Sequence, residues 1–442
     1  IAANESVAVV GAQRESHGYG AAYIYESTET GAWAVTAKLG SELQANYTSI
    51  TGDIVKCEDG LAADFGCKNV DLVSYVTTRD LGAARGIQTN DVWGWTDPES
   101  GKEYALVGRN DATSFIDVSD PRNPVVLGQL ARTEGTPVST WRDIKVYKNY
   151  AFIVADGAGA HGIQIFDLTQ LRNVENPPAD FEESAHYDGI YSAHNIVINV
   201  ETGFPYTVGN RGGGETCGGG SHIVNIQDPL NPTFAGCFAH VGTGRQGTGY
   251  THDGQCVVYS GPDERYTDRE ICFGANETAV SIADVTDKGN PVAVSTGNYP
   301  TPGYTHQGWL SEDQRYFFVN DELDELNGAT DGTRTLIWDI AELDDPILVN
   351  EHVSENKASD HNLYIRGNYM YQSNYVSGLR VLDISDVENL VEVGYFDTVN
   401  WGEDKPGFGG SWSNYPFFES GIIVVTSGEE GVFFLKRSDV DI

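Results

Sequence analysis

Short apolar and aromatic runs alternate along the chain with clusters of Gly, Asn, Asp and Pro. Examples are YAFIVAD (150–156), RYFFVND (315–321) and GIIVVTS (421–427), which are rich in β-branched and aromatic side chains. Apolar positions at the three- and four-residue spacing of an amphipathic helix are hard to find. The pattern therefore predicts an all-β protein built from many short strands.

The strand-like runs recur in a fixed order. Equivalent positions in seven successive units are separated by 50, 51, 58, 54, 55 and 51 residues. A repeat of about fifty residues that holds about four short strands is typical of a β-propeller blade. We therefore predict a seven-bladed β-propeller of four-stranded blades. The equivalent positions are Trp93, Asp143, His194, His252, His306, His361 and Trp412.

The two ends of the repeat region are expected to meet. The last unit, from Gly410, supplies only three strands, and NVDLVSYVTT (69–78) is predicted to add the fourth, because such closure removes exposed sheet edges. We interpret 69–442 as the propeller and 51–68 as a linker held by a disulfide. Residues 1–50 contain three more strand-like runs and are interpreted as a β appendage, with an eighth blade as the alternative.

Four of the ten histidines occupy equivalent positions in four consecutive units. The first strand of each propeller blade lines the central channel, so these side chains are expected to converge at one channel mouth. Imidazole is the commonest metal ligand, and a carboxylate beside it suits Zn, Cu, Mn, Fe or Ni. The alternative is that the histidines only line the channel and bond to neighbouring backbone. The predicted ligands are His194, His252, His306, His361 and Asp143.

The loops between second and third strands are predicted to surround the same mouth, and they carry many acids and bases. Taken singly, each of these residues is more often a turn or salt-bridge residue; taken together, they mark a binding site. The acidic segment DELDELNGATDGT (321–333) makes Ca²⁺ an additional candidate, although its spacing is not that of an EF-hand. The candidate catalytic residues are Arg142, Arg211, Glu322 and Tyr375, and the candidate substrate-binding residues are His161, Asn374 and Trp309.

The charge balance excludes several classes of partner. The chain has 27 Lys and Arg against 64 Asp and Glu, a net charge of −37. Such a surface repels nucleic acid and anionic membranes, and it favours a marine or halophilic source. No apolar run approaches the roughly 18 residues that cross a bilayer. The expected partners are therefore an extracellular carbohydrate or a surface protein.

Cysteine usage and the first residue indicate a secreted protein. The chain begins at Ile1 and has a single methionine, Met370, which we interpret as a mature form without its signal peptide. Six cysteines fall into three local pairs, as disulfides of an oxidising compartment would. A four-cysteine zinc site is the rival, but no CxxC spacing occurs. The predicted pairs are Cys57 with Cys67, Cys217 with Cys237, and Cys256 with Cys272.

Several segments together resemble a known family. GLRVLDIS (378–385) is similar to the LVIVD repeat, and WRDIKVYKNYAFIVAD (141–156), SAHNIVIN (192–199) and YTHDGQCVVYSGPD (250–263) resemble the secreted choice-of-anchor B family of bacterial propeller proteins. The resemblance runs from about residue 57 to 437, and the segment ahead of it is similar to an FG-GAP blade. It implies the propeller fold and a secreted or cell-surface location. The family has no settled activity to transfer.

Two functions fit these features. The first is a metal-dependent hydrolase or lyase that acts on extracellular carbohydrate, in which the ion neutralises a carboxylate or activates water. The second is a non-catalytic surface or matrix binding module in which the histidines are structural. Metal content and turnover of a carbohydrate substrate distinguish them.

Overall fold

The computed structural model describes residues 2–3, 7–12, 21–27, 33–39 and 47–442. Within these residues, 35 strands are joined by one helical turn, α1 (Asp324–Asn327), and three short 3₁₀ helices (Leu168–Asn173, Cys217–Gly219 and Glu264–Tyr266). Among the helices described, none is long and apolar enough to cross a membrane. The chain is therefore nearly all β, as its pattern of short apolar runs predicts.

The N-terminal strands form a four-stranded sheet of their own, in the order β1-β2-β3-β4. Three further strands precede the repeats. These seven are β1 (Ala2–Ala3), β2 (Val7–Ala12), β3 (Ala21–Ser27), β4 (Trp33–Leu39), β5 (Leu61–Ala62), β6 (Phe65–Lys68) and β7 (Val70–Thr77).

Seven further sheets form the blades, each with four antiparallel strands at its centre. Blade 1 contains β8 (Thr89–Thr96), β9 (Glu103–Arg109), β10 (Ala112–Asp117) and β11 (Val125–Ala131). Blade 2 contains β12 (Arg142–Tyr147), β13 (Tyr150–Ala155), β14 (Ile163–Asp167) and β16 (Ala185–Tyr187). The short β15 (Ala179–Phe181), between β14 and β16 in the chain, pairs with β11 at the edge of blade 1. Blade 3 contains β17 (Asn195–Asn199), β18 (Phe204–Val208), β19 (Ser221–Asn225) and β20 (Thr233–Phe238).

The remaining blades follow in chain order. Blade 4 contains β21 (Asp253–Val258), β22 (Glu270–Ala275), β23 (Val280–Asp284) and β24 (Val292–Gly297). Blade 5 contains β25 (Thr305–Leu310), β26 (Tyr316–Asp321), β27 (Arg334–Asp339) and β28 (Ile347–Val353). Blade 6 contains β29 (Leu363–Arg366), β30 (Tyr369–Ser373), β31 (Leu379–Asp383) and β32 (Val391–Phe396). Blade 7 contains β33 (Ser411–Tyr415), β34 (Ile423–Ser427) and β35 (Gly431–Arg437), and β7 is its fourth strand.

The ring closes as the sequence predicts. Strand β7 pairs antiparallel with β35, from Thr77 opposite Gly431 to Val70 opposite Arg437. The first strand of each blade contacts the first strands of both neighbouring blades, and β33 of blade 7 contacts β8 of blade 1. We call these seven strands, β8, β12, β17, β21, β25, β29 and β33, the inner strands, and they line the central channel. The propeller is seven-bladed, and the N-terminal strands are additional to it.

The segment predicted as a linker pairs with the outer edges of blades 6 and 7. Val55 forms an isolated bridge to Leu72 of β7, as Ile50 just ahead of the segment does to Tyr75, and β6 pairs with β32 of blade 6. These contacts cover sheet edges that would otherwise expose unpaired backbone groups. The proposed division at residues 50 and 68 stays a prediction.

All three predicted disulfides are present: Cys57–Cys67, Cys217–Cys237 and Cys256–Cys272. The last pair joins directly opposite residues of β21 and β22. Blades also pack on each other through aromatic rings. Phe115 of blade 1 stacks on Phe166 of blade 2 with ring centroids 4.6 Å apart.

Candidate functional site

The inner strands begin at one end of the channel, which we call the histidine mouth. His194 and His252 immediately precede β17 and β21, His306 is the second residue of β25, and His361 lies just ahead of β29. The structure therefore brings together the four imidazoles that the repeat spacing singles out. Their ring centroids form a continuous row, with 4.3 Å between His194 and His252, 4.2 Å between His252 and His306, and 4.5 Å between His306 and His361.

Three of these rings are oriented through Nδ1. The Nδ1 atom of His252 donates to the carbonyl oxygen of His306 at 2.8 Å, and that of His361 donates to the carbonyl oxygen of Trp412 at 2.5 Å. The Nδ1 atom of His194 lies 2.9 Å from the carboxylate of Asp156. Because a carbonyl oxygen only accepts hydrogen bonds, the neutral rings of His252 and His361 carry their proton on Nδ1 and have a free lone pair on Nε2. This is the arrangement that metal-ligating histidines adopt.

A carboxylate completes the group. Glu322 follows β26, and its two oxygens lie 3.9 Å from Nε2 of His306 and 3.9 Å from Nε2 of His361. One ligand atom from each of these three residues lies within 4.8 Å of the others. The hydroxyl of Tyr375 donates a hydrogen bond to Glu322. His306, His361 and Glu322 thus present two nitrogens and one oxygen to a common point, and we call them the ligand triad.

Tyr375 is itself held in an unusual backbone conformation. Its φ is +43°, in the left-handed region that residues with a side chain rarely adopt. Two backbone hydrogen bonds with Ser411 of β33, of 3.1 and 2.8 Å, hold it there. Strain of this kind is tolerated where a side chain must be aimed, and here it aims the phenol at Glu322.

Burial controls the protonation of the triad. It lowers the pKa of His361 to about 3 and the pKa values of His252 and His306 well below the usual range, and neighbouring imidazoles add to the effect in all three. Burial also raises the pKa of Glu322 to about 7, although the hydrogen bond from Tyr375 opposes the rise. The imidazoles of His252, His306 and His361 are therefore neutral at physiological pH, which is the state that binds metal ions.

The space beside the row of imidazoles is small. The cavity lined by His194, His252, His306 and His361 has a volume of about 10 Å³, which is about the space that one water molecule or one ion needs. It is also lined by Trp141, Arg142 and Trp412. The cavity therefore has room for one ion inside the channel. A larger molecule is too big for the cavity and would lie above it, at the mouth.

Two cations stand at this mouth. Arg211 is 63% exposed, and its guanidinium lies 3.4 Å from Asp156, the partner of His194. Arg245 is exposed, donates to the carbonyl of Gly303 at 2.6 Å and covers the ring of Tyr304 at 4.6 Å. On a chain with a net charge of −37, these guanidinium groups create a local site for anions.

Asp143 points away from the triad. One of its oxygens lies 2.5 Å from Nζ of Lys145, and the other accepts from the backbone N–H of Ile196 at 2.8 Å. Lys145 lies deeper in the channel, where Asp91 is 4.0 Å from its ammonium group and Asp253 is a further buried carboxylate. The structure therefore places Asp143 in an ion pair, and Glu322, predicted as a catalytic residue, supplies the carboxylate beside the imidazoles.

The remaining predicted residues lie in other environments. Arg142 is buried and contacts His161, with 3.2 Å between Nη1 and Nε2. Burial lowers the pKa of Arg142 to about 10 and that of His161 to about 3. Asn374 is 2% exposed, and Trp309 lies near the opposite end of its inner strand. None of these four belongs to the ligand triad.

Two carboxylates of the acidic segment 321–333 already bond to other groups of the protein. Asp321 accepts hydrogen bonds from the hydroxyl of Tyr299 and the backbone N–H of Gly303, both at 2.7 Å. Asp324, at the start of α1, pairs with Arg334 at 2.6 Å. Calcium binding by this segment stays a prediction.

Sequence reasoning did not single out Lys145, Asp253 or Arg245. Asp253 directly follows His252, and Lys145 lies two residues after Asp143. Both lie on inner strands. Because inner strands line the channel, their position in the sequence could have predicted that they face it. Arg245 lies in a glycine-rich loop outside the aligned positions, and no repeat pattern points to it.

Comparisons with known proteins bear on the fold. Residues 359–398 match the family model of the LVIVD repeat, which confirms that part of the resemblance; membership of the choice-of-anchor B family stays a prediction. No curated protein matches the chain.

Similar solved structures include a protein from Lactobacillus plantarum, at 14% identity and a TM-score of 0.50 over 76% of this chain and 88% of that one. A functionally unknown protein from Desulfotomaculum acetoxidans has 12% identity and a TM-score of 0.50 over 78% and 97%. The hydrazine synthase of Kuenenia stuttgartiensis has 10% identity and a TM-score of 0.50 over 76% and 93%. At these identities the likeness shows the fold alone.

Proposed function

We propose that this chain is an extracellular, metal-dependent lyase or hydrolase of anionic polysaccharide, with its metal ion bound by His306, His361 and Glu322. The observation that carries the proposal is the convergence of one nitrogen from each of two imidazoles and one carboxylate oxygen within 4.8 Å, with both Nε2 atoms 3.9 Å from Glu322. The three disulfides support an oxidising, extracellular location.

The donor atoms select the class of ion. Two imidazoles with one carboxylate suit Zn²⁺ or Fe²⁺, whereas Ca²⁺ and Mg²⁺ prefer oxygen ligands. The separation of 3.9 Å between each Nε2 and Glu322 lies within the span of two metal–ligand bonds of about 2.1 Å. Three protein ligands leave coordination positions for substrate or water, as catalytic sites require. In such a site the ion would polarise a substrate carboxylate or activate a water molecule.

The surrounding residues have distinct roles in this proposal. Arg211 and Arg245 hold the anionic groups of the substrate at the mouth. His194 acts as proton acceptor through Nε2, because its Nδ1 bonds to Asp156 at 2.9 Å and the carboxylate orients the ring. Tyr375 positions Glu322, since burial and the charge of Glu322 raise the pKa of its phenol well above the usual range and so oppose a role as base.

The first experiment measures metal content. Protein purified without chelators or a His tag is analysed by elemental mass spectrometry beside a His306→Ala/His361→Ala variant. We expect about one equivalent of a transition metal per chain, lost in the variant. The matched control is His240→Ala, since His240 is bonded to Ser281 at 2.8 Å outside the triad. Equal metal content in all three proteins would refute the site.

The second experiment tests catalysis. Metal-loaded protein is incubated with uronate-containing and sulfated polysaccharides, and unsaturated products and new reducing ends are measured separately. Unsaturated products identify a lyase, and reducing ends alone identify a hydrolase. A metal-loaded protein that is inactive on the whole panel would instead support the binding-module alternative.

A further inference from the structure

The channel has a second mouth at the far ends of the inner strands, and its chemistry differs from that of the histidine mouth. A cavity of about 210 Å³ lies there. Three inner strands, β17, β21 and β25, begin at or next to one of the four histidines and carry residues of this cavity further along. The two sites are therefore separated along the channel. In β25, for example, His306 faces the histidine mouth and Trp309, three residues later, lines this cavity. We call this end the tryptophan mouth.

Two indole rings form its walls. Trp93 of blade 1 and Trp309 of blade 5 both line the cavity. Each packs against Tyr364, with ring centroids 5.8 and 5.0 Å away, and against Phe417, at 6.2 and 6.0 Å. This packing on one side holds the indoles in place at the edge of the cavity. Rigid aromatic walls bind flat ligand faces with little loss of side-chain freedom.

Amide donors line the same cavity. Asn199 is 2% exposed, and its Oδ1 accepts from the backbone N–H of Glu201 at 3.0 Å. Its Nδ2 is buried and has no hydrogen-bond partner within the described residues. Gln255 likewise uses its Oε1, which accepts from the N–H of Leu310 at 2.8 Å, so its Nε2 is the group it offers to the cavity. A buried donor without a partner costs free energy, and a ligand with acceptor oxygens relieves that cost.

The floor of the cavity disfavours a negatively charged ligand. Lys145 lines the cavity and lies over the ring of Trp93 at 4.6 Å. Its charge is already balanced by Asp143 at 2.5 Å, with Asp91 at 4.0 Å. An anion here would face the carboxylate of Asp143 and exposed Glu201, whereas a neutral ligand would avoid this repulsion.

From this combination we propose that the tryptophan mouth is a second binding site, for one neutral pyranose ring such as a free hexose or the end of a neutral glycan. The C–H face of the sugar packs on Trp93 and Trp309, because those hydrogens are attracted to the negative face of an aromatic ring. The sugar oxygens accept hydrogen bonds from Asn199 and Gln255. This site is independent of the ligand triad and of the proposed catalysis.

Isothermal titration calorimetry on the full chain tests the site. The probes are glucose, galactose, mannose and N-acetylglucosamine, with galacturonate as the charged comparison and indole as the apolar one. We expect at least one neutral sugar to bind with an affinity in the millimolar range, and Trp309→Ala to weaken it at least tenfold. Asn199→Asp, which keeps the acceptor oxygen and replaces the donor, is expected to weaken it at least fivefold.

Matched variants separate this site from the other mouth. Trp141→Ala removes an indole that is 45% exposed at the histidine mouth, and His306→Ala/His361→Ala removes the triad; neither is expected to change sugar binding. Trp309→Phe keeps an aromatic wall and guards against loss of folding as the cause. The proposal is overturned if no neutral sugar binds, if galacturonate or indole binds in preference, or if Trp141→Ala alone abolishes binding.

Discussion

At the scale of single residues, the site depends on which nitrogen of each histidine is free. Carbonyl oxygens of neighbouring blades accept from Nδ1 of His252 and His361, so the fold itself selects the tautomer in which Nε2 carries a lone pair. Burial then keeps the rings neutral. His252 and His361 therefore have both roles considered from the sequence: Nδ1 bonds to the next blade, and Nε2 remains available.

The pH dependence of metal binding should report on Glu322. Its pKa in the metal-free protein is raised to about 7, so below pH 7 the carboxyl must lose a proton before it binds metal. We expect the affinity for Zn²⁺ to fall about tenfold per pH unit below about pH 7 and to be flat above it. The imidazoles of His306 and His361 add nothing to this slope because their pKa values lie far lower. Competition with a chromophoric chelator measures it.

Two variants separate the effect of the Glu322 carboxyl on metal binding from that of Tyr375, which bonds to it. Glu322→Gln should bind more weakly and lose the slope, since no group then titrates in this range. Tyr375→Phe keeps the carboxylate, so the slope should persist while the affinity falls by about tenfold to a hundredfold. A slope that survives in Glu322→Gln would show that another group, and not Glu322, controls binding.

At the scale of elements, the ring depends on β7, which is remote in sequence from the three strands it completes. Tyr75 of β7 is 1% exposed, stacks on Phe433 of β35 at 4.3 Å and donates to the carbonyl of Glu430 at 2.6 Å. This strand closes the last blade with contacts between the two ends of the propeller. Among the described residues, the N-terminal strands β1 to β4 pair with one another in a separate sheet.

Loss of the Tyr75 ring should destabilise the whole propeller. We expect Tyr75→Ala to lower the free energy of unfolding by about 3–5 kcal/mol, because it removes a buried aromatic side chain. Denaturation by guanidinium chloride, followed by circular dichroism, measures the change. Val292→Ala, at a position 57% exposed on β24, should change it by less than about 0.5 kcal/mol. Equal effects of the two substitutions would contradict the assigned closure.

At the scale of the whole molecule, the two mouths of the channel have opposite characters. The histidine mouth has imidazoles, a carboxylate and two arginines, while the tryptophan mouth has indole rings and amide donors. Between them lies a buried ion pair of Lys145 with Asp143. One ring of blades thus presents two separate sites on a surface that is otherwise strongly acidic.

The net charge of −37 should make the stability depend on salt. Self-repulsion of the folded chain is screened as the Debye length falls from about 30 Å at 0.01 M to about 3 Å at 1 M. We therefore expect Tm at neutral pH to rise with NaCl concentration, as measured by calorimetry. At about pH 4, where about half of the ordinary carboxyl groups are protonated, the rise should be much smaller. An equal rise at both pH values would assign the effect to something other than charge.

The sequence by itself determined the blade count, the strand that closes the ring and the three disulfides. Each of these follows from a regular spacing: about fifty residues per unit, a missing fourth strand in the last unit, and cysteines in local pairs. The row of four histidines was also predictable, because equivalent positions of a repeat come together around one axis.

Only the tertiary structure decided the partners of these residues. Asp143 is equivalent in sequence to the histidines, yet it pairs with Lys145. The carboxylate that lies beside His306 and His361 is that of Glu322, from a loop after the second strand of blade 5. Trp309 lies at the tryptophan mouth because three residues of extended strand carry it about 10 Å along the channel. Spacing along a chain determines which strand a residue occupies, whereas the direction of its side chain and its nearest charges depend on contacts between blades.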